Sequence, residues 1–187
     1  MKPNCKKYFE RKQIFTSLIF LFVFCKGFSQ NPVPSAYPTT ARVNYTREWA
    51  ATAPDQSASD LITRPLTDVK QSTAYYDGFG RPMQTVAKQA SPLGNDLVTA
   101  NYYDPTTGNE IYKYLPFTSN IATTGDATTD GNFKLDRFQQ QVAFYNTYLN
   151  GQPGETNVGA GGSNWAYSQT NYEVSPLNRP LNSYAPG

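Results

Sequence analysis

The sequence predicts a mainly β protein, a series of β-hairpins carrying one amphipathic α-helix at about 132–150, and three observations carry that prediction. The first is a unit written twice. Tyr75-Tyr76-Asp77 runs into Gly78-Phe79-Gly80-Arg81, and 27 residues later Tyr102-Tyr103-Asp104 runs into a turn ending at Gly108. A catalytic site is rarely repeated in tandem, whereas a supersecondary unit is. The second is composition. Beyond residue 29 the chain holds 8 Val, 9 Leu, 3 Ile and 5 Phe in 158 residues, but also 13 Tyr and 2 Trp. That is thin for a deep aliphatic core, while Tyr, Thr and Val suit a half-buried pleated surface. The third is that Leu135, Phe138, Val142, Tyr145 and Leu149 recur at spacings of 3 and 4, the period of a helix face.

Residues 1–29 read as a secretory signal peptide. Lys2, Lys6, Lys7, Arg11 and Lys12 precede an apolar run of 11 residues, Ile14 to Phe24, and the small residues Gly27 and Ser29 place cleavage after Ser29. The run is shorter than the roughly 20 residues that span a bilayer. The expected location is therefore secreted or at the cell surface, with no stable membrane span after cleavage. Without this segment Lys plus Arg falls from 16 to 10 and Asp plus Glu from 14 to 13, so a formal +2 becomes −3. The basic balance belongs to the targeting peptide, and nucleic acid is not an expected partner. Cys5 and Cys25 leave with it, and the sequence contains no histidine. A mature chain of this kind has no disulfide, no thiol–imidazole or Ser–His–Asp machinery and no zinc site built on those ligands.

Residues 30–41, with Pro32, Pro34 and Pro38, form an extended leader to a domain spanning 42–187. Arg42 to Ala50 alternates as a strand, with Val43, Tyr45, Arg47 and Trp49 on one side. Residues 51–70, broken by Pro54 and Pro65, read as a loop with a short strand near Leu61. Ser72 to Asp77 is a strand, and Arg81 to Lys88 returns from its turn; Leu97 to Asp104 and Asn109 to Phe117 repeat the arrangement. Asp77 and Asp104 stand where a carboxylate accepts backbone N–H bonds inside the turn, and Gly80 and Gly108 where the closing residue needs φ > 0. A third unit lies at Asn171 to Tyr184: Glu173 replaces Asp, Asn178 replaces Gly, and Arg179-Pro180 repeats Arg81-Pro82. Asn is the other residue that tolerates the left-handed region. An insertion at 119–164 separates this unit from the second. It holds the helix, with Asn132 capping its start and Gly151 its end, and a glycine-rich loop over 151–164.

Few residues invite a chemical role. Asp77 and Asp104 have the residue types of a glycosidase pair, but their matched turn positions assign them to turn geometry. Asp126, Asp130 and Asn132 supply hard oxygen ligands without the spacing of a calcium loop. Tyr76, Tyr103, Tyr112 and Trp165 are candidate ligand-binding aromatics, an outward strip on which a sugar would stack. No catalytic residue, metal site or cofactor is expected.

The stretches Tyr75 to Val98, Tyr102 to Phe117 and Tyr172 to Gly187 together resemble the start of a secreted bacterial RHS/YD-repeat protein, and in particular the uncharacterised N-terminal domain that precedes its repeats. The likeness covers roughly residues 40–187; Asn109, Glu173 and Asn178 depart from the Tyr-Asp-x-x-Gly-Arg pattern. It implies hairpins that wind into a hollow shell around a downstream effector or toxin, with Asp77, Gly80, Arg81, Asp104, Gly108, Glu173, Asn178 and Arg179 as structural turn residues. The expected function is a non-enzymatic structural module that caps or starts such a shell, the helix packing over an open sheet end. Its expected partners are downstream repeats of the same polypeptide. The alternative is an adhesin module that binds a cell-surface glycan or protein.

Overall fold

A computed structural model describes residues 33–55, 57–120, 126–147 and 166–186. The expected signal peptide, the expected helix cap at Gly151, the glycine-rich stretch 151–164 and Trp165 lie outside the described residues.

The described chain is an antiparallel meander. Strands β1 (Asn44–Ala51), β2 (Val69–Tyr76), β3 (Pro82–Ala87), β4 (Leu97–Tyr102), β5 (Tyr112–Tyr114), β6 (Phe117–Thr118), β7 (Tyr167–Tyr172) and β8 (Pro180–Tyr184) join one eight-stranded sheet. Its path runs β1-β2-β3-β4-β5-β7-β8, with β6 also paired to β4. The second return strand is split because Pro116 lacks an N–H to continue the ladder. On the far side of Leu115-Pro116 the chain pairs again, Phe117 opposite Val98.

Alternation sorts the side chains into two faces. Tyr75 lies opposite Gln84, Gln84 opposite Ala100, and Val86 opposite both Thr73 and Val98, all of them buried. This face carries the core, which adds Tyr114, Phe117, Phe138, Tyr145 and Ala166. The opposite face pairs Thr46 with Ala74, Ala74 with Thr85 and Thr85 with Thr99, short side chains that need no cover.

Helix α1 spans Arg137–Thr147. It begins five residues later than the sequence suggests, because carbonyls that an earlier helix would use already accept from elsewhere, Lys134 O from Gln84 Nε2 and Leu135 O from Tyr37 N. Asn132 N donates to Asp130 Oδ1, Lys134 N to Gln84 Oε1 and Leu135 N to Asp126 Oδ2. Asn132 is not a cap; its Oδ1 accepts from Arg47 Nη2 of β1 at 3.1 Å. Asp136 directly precedes the helix, and its carbonyl accepts from Gln140 N. Nor does the helix close a sheet end. It lies across the core face near β4 and β6, with Phe138 4.5 Å from Tyr114 and 6.1 Å from Tyr102 between ring centroids. The rings supply a broad apolar seat on the face itself, which an edge does not offer. Gln141 Nε2 bonds the carbonyls of Leu115 and Ala166, and Tyr145 Oη that of Pro116.

The leader is docked on this helix. Tyr37 N donates to Leu135 O, Gln139 Nε2 donates to Pro34 O, and the Arg137 guanidinium sits 4.3 Å from the Tyr37 ring and 4.4 Å from that of Phe138. Near Leu61 the chain makes a 3-10 turn, Asp60–Ile62, rather than a strand. Asp60 O accepts from both Thr63 N and Thr63 Oγ1, a local closure that consumes the groups a strand would offer sideways.

Candidate functional site

The meander places the β2–β3, β4–β5 and β7–β8 corners at one end of the sheet and the longer connections at the other. In the first corner Asp77 N donates to Arg81 O and Gly80 N to Asp77 O. The Asp77 carboxylate accepts from Phe79 N and Arg81 N at 2.9 Å and from Arg81 Nε at 2.8 Å. Gly80 has φ +77°, a conformation that any Cβ disfavours. In the second, Asp104 N donates to Asn109 O and Gly108 N to Asp104 O, while Asp104 Oδ1 accepts from Thr106 N, Thr107 N and Thr107 Oγ1. Gly108 has φ +73°.

The third corner reaches the same solution with other residues. Glu173 N donates to Arg179 O, and Asn178, at φ +52°, takes the glycine's conformation. Glu173 pairs with Arg179 through Nε–Oε1 and Nη2–Oε2, both 3.0 Å. The turn is two residues longer than the first, so the longer Glu accepts from Arg179 N at only 3.4 Å and a relay through Ser175 stands in for the other backbone bond: Ser175 Oγ donates to Glu173 Oε1 and accepts from Leu177 N. First and third hairpins share a register shift in the same place, with Tyr76 opposite Pro82 and Tyr172 opposite Pro180.

Neighbouring corners are also bonded to each other. Arg81 Nη1 donates to Gly108 O at 3.0 Å, its guanidinium lies 4.4 Å from the Tyr103 ring, and Tyr103 Oη donates to Pro82 O. A Cβ on Gly108 would come within 3.2 Å of Arg81 Nη1. Asn109, which stands where the pattern has Arg, accepts from Asn178 Nδ2 of the third corner at 3.2 Å. The three corners form one hydrogen-bonded row.

Electrostatics agree with that geometry. Asp77 loses some hydration in its corner, but the N–H and guanidinium of Arg81 outweigh this and hold its carboxyl below the ordinary 3.8. The Thr107 N–H does the same for Asp104, and the Arg179 side chain for Glu173, whose ordinary value is 4.5. All three are held as anions, the state that accepts turn bonds. None is poised as a proton donor.

Of the candidate aromatics, the three described each have a separate partner. Tyr76 lies on the uncored face with its hydroxyl 3.3 Å from Thr46 Oγ1, Tyr103 is under Arg81, and Tyr112 packs edge-on to Tyr167 at 4.9 Å between ring centroids. Asp126, Asp130 and Asn132 face different protein donors, and among the described residues no three His, Cys, Asp or Glu side chains converge as metal ligands. Neither the Tyr103–Arg81 stack nor the Asn109–Asn178 bond is foreshadowed in the sequence, since both join separate units; alternating residues beside each turn are the only clue. Among the described residues no helix is long and apolar enough to cross a membrane.

Residues 47–187 match the family model described as a domain of unknown function (DUF6443). No curated protein and no solved structure matches the chain.

Proposed function

We propose that this chain, which belongs to the DUF6443 family, is a non-enzymatic structural module of a secreted protein, the start of a β-shell of RHS/YD-type hairpins. The observation that carries this reading is the bonded row of three corners, each an acidic residue with a left-handed Gly or Asn, each tied to the next. Such a row extends by addition: a further hairpin would pair with β8 and place its own corner beside Arg179. β8 is suited to this, since all five of its residues are exposed and Leu181 and Tyr184 are large apolar groups without cover. A two-stranded hairpin alone is marginal in water. The core, by contrast, ends at Ala166 and Tyr167, before the hairpin begins in earnest.

A carbohydrate-binding strip would need free, aligned rings, and Tyr103 and Tyr112 are already engaged by Arg81 and Tyr167. The structural reading is therefore preferred. Its test is to read the message past codon 187 and to express the chain together with the downstream segment encoded there. Further Tyr-Asp-x-x-Gly-Arg units and new amide-exchange protection across Pro180–Tyr184 are expected. Exchange in β8 as fast as in the 187-residue chain would refute the extension.

A further inference from the structure

The most fully built polar site in the described protein lies at the opposite end of the sheet from the corners and has no part in their bonded row. Lys134 and Asp96 are buried, with side-chain exposures of 1% and 0%, and Lys134 Nζ is 2.8 Å from Asp96 Oδ2. A second carboxylate, Asp130 Oδ1, also lies 2.8 Å from Nζ, and its side chain is 37% exposed. The Ala127 carbonyl accepts the third Nζ bond. The Asp96 carboxyl is gripped by two backbone N–H groups, Gln89 N on Oδ1 at 2.9 Å and Gly131 N on Oδ2 at 2.8 Å.

Both of those N–H groups come from left-handed residues. Gln89 has φ +49°, unusual for a side chain of its kind, and Gly131 has φ +70°. A Cβ on Gly131 would meet Gln71 Nε2 at 2.8 Å and Lys88 Cβ at 3.0 Å, so the position requires glycine. The Asp96 backbone is held as well, its N–H on Thr128 O and its carbonyl on Ser119 N. A plain ion pair needs none of this, since an exposed or half-exposed partner would serve. The arrangement has the parts of an acyl-transfer site: an amine within 2.8 Å of a carboxyl oxygen, N–H donors on both oxygens of that carboxyl, buried reacting groups, and a second carboxylate within reach to carry a proton.

We propose that Lys134 and Asp96 condense to an intramolecular isopeptide bond, with Asp130 as the proton carrier. Lys134 Nζ bonds to Asp96 Cγ and the Cγ–Oδ2 bond breaks. The ammonium gives up two of its three protons, Asp130 takes the first and hands it on, and Oδ2 receives both and departs as water. Asp96 Oδ1 remains as the amide oxygen on the Gln89 N–H. Asp130 ends unchanged, and no oxidant, nucleotide or metal is consumed. The product ties the start of β4 to the segment leading into α1. It staples the insertion to the sheet in a chain whose two cysteines, Cys5 and Cys25, both precede the domain.

Intact mass and peptide mapping of the purified full chain decide the matter. The expected result is a protein lighter than its sequence by one water, with a single branched peptide joining Asp96 to Lys134. Lys134→Arg should restore the full sequence mass. Asp130→Asn should also keep that mass while circular dichroism reports an unchanged sheet; full cross-linking in that variant would overturn the role of Asp130. A folded wild-type chain at full mass, with Asp96 and Lys134 in separate linear peptides, would overturn the bond itself. So would a water loss that maps to a succinimide at Asp77-Gly78 or Asp130-Gly131.

Discussion

Gly80 and Asn178 occupy equivalent corners at φ +77° and +52°, and only one of them is glycine. The left-handed conformation is thus what each corner demands, and residue type follows from it. Nothing lies within 4 Å of the place a Cβ would take on Gly80. Gly80→Val should therefore cost about 1–3 kcal/mol through backbone strain alone, read as a lower denaturant midpoint, while Asn178→Gly should be tolerated. The carboxylates add a pH dependence. A carboxyl whose folded pKa lies below its unfolded value confers stability that is present above the unfolded value and lost as pH falls through the folded one. Asp77, Asp104 and Glu173 are all of this kind. Asp126 opposes them: burial, with Asp136 nearby, raises its carboxyl despite the Leu135 N–H, so its contribution grows on acidification. Glu110 is raised by burial as well, while for Asp130 burial is outweighed by its bond to Lys134, which lowers the carboxyl. With four depressed groups against two, the melting temperature should fall as pH drops below the ordinary 3.8–4.5. Asp77→Asn should flatten that fall, and an unchanged profile would show that the corner carboxylates do not couple to folding.

At the scale of elements, the insertion is the piece that turns a meander into a folded domain. β2, β3 and β4 present a face of Tyr75, Gln84, Val86, Val98 and Ala100, and α1 contributes Phe138 and Tyr145 to cover it. Phe138 is 1% exposed and touches both Tyr114 and Tyr102. Phe138→Ala should cost about 3–5 kcal/mol, against an expected loss near zero for Phe144→Leu at the partly buried edge of the cluster. Equal losses at the two positions in chemical denaturation would mean that the helix is not seated on this face. Hairpins and helix were legible in the sequence because their signals are local: Asp and Gly around a turn, apolar spacings of 3 and 4. The late helix start and the 3-10 turn at Asp60 were not, because donors distant in sequence (Gln84, Tyr37) or off the pattern (Thr63) take the carbonyls that the regular element would use. Lys134 illustrates the difference. Read locally it is a charge at a helix start, yet Asp96, 38 residues away, makes it one of the most buried side chains described.

Over the whole molecule, cohesion is uneven, and that unevenness bears on function. The cored part is gripped from several sides. Gln84 exchanges hydrogen bonds with the Lys134 backbone, Gln140 ties Ser119 and Asn120 to the helix, and Arg47 of β1 reaches both Thr73 and Asn132. Among the described residues the β7–β8 hairpin is gripped less, with only Tyr167 packed against the core. β7 is only half-buried throughout and β8 is exposed throughout. Among the described residues, beyond its ladder to β5, the hairpin is tied to the rest by the Asn178–Asn109 bond, the Thr170 N–Ile111 O bond and, at its first residue, the packing of Tyr167 on Tyr112 and Tyr114. Opening free energies track burial and hydrogen bonding. In the 187-residue chain, amides of β2, β3 and β4 should exchange slowest, and those of β8 should exchange at close to the rate of an unstructured peptide. Raising the protein concentration should slow exchange at β8 alone, because an open edge with Leu181 and Tyr184 exposed pairs with another strand when one is offered. Leu181→Lys should abolish that concentration dependence without altering exchange in β2–β4. Slow exchange at β8 in dilute solution would instead mean that the hairpin is complete by itself and has no need of a further strand.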